Sequence, residues 1–173
     1  MIDNPKILFA DLDGTLIETK SGKTFPIDEF DWFFKPGIIE AIRNYNPDYL
    51  FIITNQDGIE KGFIDEEKFK CEIKNVQNGL NIRLNHIRLI AYEYCISNNK
   101  ENPYRKPNIG MIKRFKGFYE NNNDNDNDNC LMIGDASGKD GQFSNSDKKC
   151  AENANIEYMD VEDFITKFYI KFK

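Results

Sequence analysis

The sequence has one histidine and four cysteines in 173 residues, and no two cysteines form a CxxC pair. These residue types supply most zinc ligands, so neither a zinc site nor a disulfide framework is indicated. We expect the cysteines to stay reduced, which predicts an intracellular compartment. Long apolar runs are also missing. No stretch approaches the length of a membrane span, and the first fifteen residues lack the apolar core of a signal peptide.

An excess of positive charge is absent as well. The chain has 23 basic and 29 acidic residues, for a net charge of −6. A protein that coats nucleic acid needs cations spread along many phosphates. The composition therefore excludes a broad nucleic-acid surface, but not contact with a short stretch or an end. The length and the 40% hydrophobic content predict one globular domain over residues 1–173, acting as a monomer.

Four short apolar runs predict buried strands, because they are rich in β-branched and aromatic residues and too short for typical helices. Segments with helical spacing or helix-start residues lie between and after them. The predicted strands are 6–10, 49–54, 87–93 and 130–134, and the predicted helices are 36–45, 65–80, 106–120 and 161–172. This alternation predicts a doubly wound, Rossmann-like α/β fold with a central parallel sheet.

Residues 120–129 read ENNNDNDNDN and contain no apolar residue that could anchor them. We predict a mobile surface loop between the third helix and the fourth strand. The alternating aspartates also suggest a calcium-binding loop. However, the glycine and the closing glutamate of that motif are missing.

Polar side chains follow each predicted strand at its carboxyl end, where doubly wound sheets bind their ligands. We expect these residues to converge in one cleft. They are Asp11 and Asp13, then Thr54, Asn55 and Gln56, then Lys106, and finally Asp135, Asp140 and Asp147. Clustered oxygen ligands without histidine or cysteine favour Mg²⁺ over zinc.

This set of residues fits phosphoryl transfer. A carboxylate that attacks a phosphate dianion meets like-charge repulsion, which a cation between them removes. Thr54, Asn55 and Lys106 are the expected phosphate ligands, with the lysine neutralising a second side of the transferring group. Two carboxylates suit a two-step covalent reaction, one as the nucleophile and one as the proton shuttle.

Residues 21–24 read SGKT, which resembles the end of a nucleotide-binding P-loop. That pattern also requires a glycine at position 17, where the chain has Ile17. Gly14 belongs instead to the stretch DLDGT, where a small residue lets the backbone turn close to a phosphate. We therefore predict no kinase domain, and we interpret TKSGKTF as a loop beside the reaction centre.

The stretches DLDGTLI, IITN and IGD, together with Lys106, resemble the four motifs of the haloacid dehalogenase (HAD) superfamily of aspartyl-phosphate phosphatases. The resemblance covers about residues 6–140 and implies a HAD fold with a minimal cap. It implies that Asp11 is the nucleophile and that Asp13 acts first as general acid and then as general base. The implied Mg²⁺ site consists of Asp11, the Asp13 carbonyl, Asp135 and one of Asp140 and Asp147.

A longer series of stretches is similar to the phosphatase domain of polynucleotide kinase 3′-phosphatases. These are TKSGKTF, TNQDGIEKG, YRKPNIGM and GDASGK…FSNSDKKC, which span nearly the whole chain. The resemblance implies removal of a 3′-phosphate from DNA ends without 5′-kinase activity, and it makes DNA repair proteins candidate partners. By their position near the motifs, we expect six basic residues to steer the strand: Lys20, Lys23, Arg105, Lys139, Lys148 and Lys149.

Two other functions fit parts of the pattern. Small-molecule phosphatases of the histidinol-phosphate or heptose-bisphosphate type usually carry a Cys/His zinc insert before the third-motif lysine. Here YEYCISNNKENPYRKP has one cysteine and no histidine. The second alternative is an inactive protein that binds DNA ends. The complete set of motif residues gives little reason to expect inactivity.

Overall fold

The computed structural model describes residues 5–115, 117 and 129–169. After the first strand and a small hairpin, helical segments alternate with the remaining strands. In chain order the elements are β1 (Ile7–Ala10), β2 (Ile17–Glu18), β3 (Phe33–Phe34), α1 (Ile38–Tyr45), β4 (Tyr49–Asn55), α2 (Asp57–Glu60), α3 (Glu66–Arg83), β5 (Leu89–Cys95), α4 (Gly110–Arg114), β6 (Cys130–Gly134), α5 (Ser146–Ala154), β7 (Glu157–Asp160) and α6 (Val161–Phe168).

Five strands form the central sheet in the order β5-β4-β1-β6-β7, and all of their pairings are parallel. The predicted doubly wound parallel sheet is confirmed. Strands β2 and β3 form a separate antiparallel pair in the insertion between β1 and α1. The minimal cap that the resemblance implies stays a prediction.

Strand β1 is buried on both faces, as its uninterrupted apolar sequence requires. Successive side chains of a strand point to opposite faces. Leu8 and Ala10 join the core formed with α1, α3 and α6, whereas Ile7 and Phe9 join the core formed with α4 and α5. Both helical layers are thus packed on the strand that ends at the first motif.

The four predicted strands are all present, with ends shifted by up to two residues. Helix α3 also begins as predicted, because the Asp65 carboxylate accepts a hydrogen bond from the Lys68 N–H at 2.9 Å and caps the first turn. Helix α1 begins two residues later than predicted, and α6 ends at Phe168.

The helix predicted at 106–120 was wrong at its start, since α4 begins only at Gly110. Successive turns precede it: the Arg105 N–H donates to the Asn102 carbonyl, and the Gly110 N–H donates to the Pro103 carbonyl at 2.8 Å. A Cβ on Gly110 would lie 2.4 Å from that same Pro103 oxygen, so the tight turn requires glycine. Residue 116, residues 118–120 of that helix and all but the last residue of the loop predicted at 120–129 lie outside the described residues.

Helix α5 and strand β7 were not predicted from the sequence. Helix α5 is largely polar and buries only Asp147, Cys150 and Ala151, so its apolar pattern is weak. Strand β7 is four residues long and lies at the sheet edge. Within the described ranges, no helix is both long and apolar enough to cross a membrane. All four cysteines are described, and none forms a disulfide.

Helix α3 buries one carboxylate that has no partner. Glu72 is 2% exposed and makes no hydrogen bond or ion pair with any described residue. Burial, together with the negative charges of Asp13, Asp31 and Asp28, raises the pKa of Glu72 to about 8. The ionised form of this side chain therefore destabilises the fold.

We predict that Glu72→Gln stabilises the protein at alkaline pH. The pKa of Glu72 lies above its ordinary value of 4.5, so its contribution to stability is present below that pH and is lost as the pH rises through 8. Urea unfolding at about pH 9 should show that the free energy of unfolding of the variant is higher by about 1–3 kcal/mol. The gain is limited to this range because solvent in the pocket screens part of the charge repulsion. The matched control is Glu67→Gln on the same helix, where the side chain is 81% exposed. Equal stability of Glu72→Gln and wild type at this pH would contradict the prediction.

Candidate active site

The carboxyl ends of three neighbouring strands bring the predicted catalytic residues together. Asp11 follows β1 directly, and its N–H donates to the Ile133 carbonyl of β6 at 3.1 Å. Thr54 lies near the end of β4, and Asp135 follows β6. Because β1 lies between β4 and β6, these three residues share one edge of the sheet.

Lys106 is the buried cation of this site. Its Nζ lies 2.6 Å from Asp11 Oδ1 and 2.7 Å from Asp147 Oδ1, and the residue is 3% exposed. Burial disfavours the charge, but the two carboxylates outweigh it and hold the pKa of Lys106 above its ordinary value. A fixed positive charge therefore lies beside the predicted nucleophile.

Asn55 positions Lys106 through the backbone. Its Nδ2 donates to the Lys106 carbonyl at 3.0 Å, and its Oδ1 accepts from the Lys106 N–H at 2.9 Å. The loop that carries the lysine is thereby tied to the end of β4. Contact between Asn55 and a phosphate stays a prediction, whereas this positioning contact was not foreseen.

Three carboxylates form a candidate metal centre. Asp11, Asp135 and Asp147 each offer an oxygen, and these oxygens all lie within 4.8 Å of one another. Two glycines leave the space that these side chains occupy. A Cβ on Gly14 would lie 2.2 Å from Asp135 Oδ2, and a Cβ on Gly134 would lie 2.2 Å from Asp147 Oδ2.

The charges and the donor atoms of this centre fit Mg²⁺. Three carboxylates and the single ammonium of Lys106 leave two negative charges, which one divalent cation balances. The donors are all oxygens, as Mg²⁺ prefers. Burial raises the pKa of Asp11 to about 8, although the positive charge of Lys106 opposes this shift. Burial and the negative charge of Asp147 together raise the pKa of Asp135 to about 6. A bound divalent cation would lower both values.

The structure brings Asp147, and not Asp140, into this group. Asp147 lies in the first turn of α5 and is 1% exposed, and its Oδ2 accepts from the Ala136 N–H at 3.1 Å. Asp140 is exposed on the turn between β6 and α5. The spacing of the sequence fits either residue, because it does not show the path of that turn.

Asp13 lies on the open side of the cleft and is held by Gln56. The residue Asp13 is exposed, while Gln56 is buried and its Nε2 donates to Asp13 Oδ2 at 2.7 Å and to Thr54 Oγ1 at 3.0 Å. Desolvation of the Asp13 carboxylate by the surrounding protein raises its pKa. The hydrogen bond from Gln56 acts in the opposite direction but does not cancel this shift. A raised pKa suits a group that donates a proton and then accepts one.

Two residues of the site received no role from the sequence. Gln56 was expected among the polar residues at the end of the second predicted strand, but its position alone indicated no role. Thr15 belongs to the first motif and is fully buried, and its Oγ1 lies 3.4 Å from Asp11 Oδ2. Both orient the two carboxylates that the sequence did identify.

The six expected strand-steering residues differ in their surroundings. Lys139 pairs with Asp163 at 2.8 Å, and Arg105 pairs with Asp57 at 3.2 Å, so these two are engaged within the protein. The remaining four lysines are exposed at the surface: Lys20, Lys23, Lys148 and Lys149. Contact of any of the six with DNA stays a prediction.

Two solved structures share this architecture. A HAD-like phosphatase from Mesorhizobium loti superposes with a TM-score of 0.67 and 19% identity, covering 96% of this chain and 85% of that chain. The D,D-heptose 1,7-bisphosphate phosphatase from B. bronchiseptica, crystallised with magnesium and phosphate, gives a TM-score of 0.64 and 20% identity, covering 94% and 86%. The fold is therefore that of the HAD-like phosphatases.

The family model described as polynucleotide kinase 3 phosphatase matches residues 6–165. The chain belongs to this family of phosphatases. The bifunctional polynucleotide phosphatase/kinase of Schizosaccharomyces pombe is 31% identical over 162 residues, which cover 92% of this chain and 37% of that relative's length. The polynucleotide 3′-phosphatase ZDP of Arabidopsis thaliana is 24% identical over 172 residues, which cover 94% of this chain and 24% of that relative.

We predict that Asp147→Asn weakens Mg²⁺ binding by about 10–100-fold, because it removes a carboxylate from the metal centre and unbalances Lys106. Asp140→Asn is the matched control and should bind Mg²⁺ as the wild type does, since Asp140 lies outside the centre. Isothermal titration calorimetry measures both affinities directly, with circular dichroism to check folding. A larger loss in Asp140→Asn than in Asp147→Asn would overturn the assignment.

We predict that Gln56→Leu lowers kcat for an alkyl phosphate by about 10–100-fold, because Asp13 loses the hydrogen bond that orients it. The loss should be smaller for p-nitrophenyl phosphate, whose leaving group needs little protonation. Gln77→Leu removes a glutamine that donates to the Ile90 carbonyl away from the site, and it should leave both rates unchanged. An equal loss for the two substrates would argue against a role of Gln56 through Asp13.

Proposed function

We propose that this protein is a Mg²⁺-dependent polynucleotide 3′-phosphatase that acts on DNA ends through an aspartyl-phosphate. The observation that carries the proposal is the convergence of Asp11, Lys106 and Asp147 at the strand ends, with Asp13 held beside them by Gln56. The family match over residues 6–165 supports the polynucleotide substrate. An intracellular, monomeric protein that acts alongside DNA repair proteins is part of this proposal.

In the first step, a carboxylate oxygen of Asp11 attacks the phosphorus while the bond to the 3′ oxygen breaks. Asp13 donates its proton to that leaving oxygen, giving the free 3′-hydroxyl. Lys106 lies 2.6 Å from Asp11 and offsets part of the negative charge that gathers there. Thr54 lies at the end of β4 beside this group and is positioned to hold a phosphate oxygen.

In the second step, Asp13 accepts a proton from the attacking water, the phosphorus–Asp11 bond breaks, and inorganic phosphate leaves. The residues Asp11, Asp135 and Asp147 would hold Mg²⁺, with the Asp13 carbonyl that the family resemblance adds. When bound, this ion supplies the positive charge that lets a carboxylate approach a phosphate dianion. Both protons in the cycle pass through Asp13, so its carboxyl group returns to its starting state.

The loop after the nucleophile motif is an ordered surface beside this centre, which suits a strand end. Asp31 is buried and accepts from the Ser21 N–H at 2.8 Å, the Ser21 hydroxyl at 2.6 Å and the Ile27 N–H at 3.0 Å. These bonds fix the loop that carries Lys20 and Lys23. An acidic protein can act on DNA in this way, since only the terminal nucleotides need to enter the cleft.

A small-molecule phosphatase of the heptose-bisphosphate type is the second candidate. It is favoured by a Thermoplasma volcanium protein named "Probable D-glycero-D-manno-heptose-1,7-bisphosphate 7-phosphatase". That relative is 29% identical over 144 residues, covering 80% of this chain and 91% of its own length. Against this candidate, the segment from β5 to Lys106 contains no histidine, and its one cysteine, Cys95, is buried within the strand.

The deciding experiment compares a 3′-phosphorylated oligonucleotide, the same strand phosphorylated at its 5′ end, and a heptose 1,7-bisphosphate. We expect kcat/KM to be highest for the 3′-phosphate, activity to be lost with EDTA, and Asp11→Asn to lower kcat by about 1,000-fold or more. Asp140→Asn, a matched aspartate outside the centre, should stay active. Preference for the heptose ester would select the second candidate, and undiminished activity of Asp11→Asn would refute the mechanism.

A further inference from the structure

A cavity of about 240 Å³ lies outside the catalytic centre, between the loop at 26–29, the segment at 63–65 and helix α3. Its lining is unusual in charge. Four carboxylates line it against a single cation, Lys68. The four are Asp28, Glu29, Asp65 and Glu72. A cavity with this balance disfavours any ligand that carries phosphate.

Glu72 is the buried acceptor of this cavity. It is 2% exposed, yet no described residue donates a hydrogen bond to it or pairs with it. The charges that act on it most strongly, those of Asp13, Asp31 and Asp28, are all negative. Lys68 lies one helical turn earlier and lines the same cavity, but it forms no ion pair with Glu72. The Glu72 carboxylate has no donor among the described residues and reaches the solvent of the cavity, and a cationic ligand would supply a donor in place of that solvent.

No three carboxylates of the cavity converge as those of the catalytic centre do. Among the described residues, only Asp11, Asp135 and Asp147 bring three ligand atoms of this kind within 4.8 Å of one another. A divalent ion draws its oxygen ligands to about 2.0–2.6 Å, so the ligands must converge more closely than those of the cavity do. A larger ligand with separated N–H donors fits the spacing better.

The remaining walls are aromatic and apolar. Phe69 is buried, and Phe63 is 65% exposed and stacks on Phe25 with ring centroids 5.7 Å apart. Ring faces attract cations, and an apolar wall accommodates an aliphatic stem. We propose that this cavity binds an organic cation, an ammonium or guanidinium group on an aliphatic stem, with Glu72 as its buried acceptor. The cation comes either from a free polyamine or from a lysine or arginine side chain of a partner protein.

The test is an NMR titration of the full chain in saturating Mg²⁺, with spermidine in one arm and N-acetyl-arginine amide in the other. We expect saturable shifts of backbone amides at 26–29 and 63–72. At about pH 9, where the pKa of about 8 leaves Glu72 ionised, Glu72→Gln should weaken binding by about tenfold, because the charged acceptor is lost. Lys68→Gln should tighten binding, because a competing cation is removed. Tighter binding of spermidine indicates a polyamine, and tighter binding of the arginine amide indicates a basic side chain.

Glu67→Gln provides the matched control, since it removes the same charge from the exposed face of the same helix. It should leave the affinity unchanged. Equal weakening by Glu67→Gln and Glu72→Gln would overturn the proposal in favour of general attraction to an acidic protein. Shifts confined to the neighbours of Asp11 and Asp135, or cavity shifts with an oligonucleotide but not with the amines, would overturn it as well. Because the readout is binding, this outcome is independent of the proposed phosphatase activity.

Discussion

The buried contact of Lys106 with Asp11 and Asp147 is the interaction on which the rest of the site depends. It joins the end of β1, the loop before α4 and the first turn of α5, three segments that are remote in sequence. An ammonium group loses its hydration when buried, and only well-placed carboxylates offset that cost. Loss of Lys106 would leave the buried Asp11 and Asp147 carboxylates without a cation, at a cost of about 3–5 kcal/mol. The three segments must therefore fold together.

The sheet and the backbone make this contact possible. Strand β1 carries Asp11 to the edge from the middle of five parallel strands, with apolar side chains packed on both of its faces. Gly14 and Gly134 then keep open the space that the Asp135 and Asp147 carboxylates fill. Asn55 fixes the backbone of Lys106 from the next strand. Packing of the sheet determines which groups meet at its edge, and hydrogen bonds from side chains to the backbone then fix their exact positions.

The sequence was enough to predict four of the five strands of the sheet and the residues that meet at their ends, because both follow from local patterns. A short run of β-branched and aromatic residues marks a strand, and the polar residues after it mark the ligand-binding edge. The choice between Asp140 and Asp147 depended on a different kind of interaction. The turn between β6 and α5 is shaped by Ser137 and Gln142, which both hydrogen bond to Asp160 on β7. These contacts join residues 23 and 18 positions apart, beyond the reach of any local pattern.

Two acidic regions of this one small chain suit different ligands because their carboxylates are arranged differently. At the strand ends, carboxylates converge within 4.8 Å around a buried lysine, so a single dication completes the charge balance and the site can accept a phosphate. Along α3, carboxylates of similar number are spread around a cavity, and its one lysine does not pair with the buried Glu72. There acidic side chains outnumber the one lysine of the lining, which disfavours a phosphate ligand. What separates the two sites is the spacing of the carboxylates and the place of the nearest cation, since both are built from the same residue types.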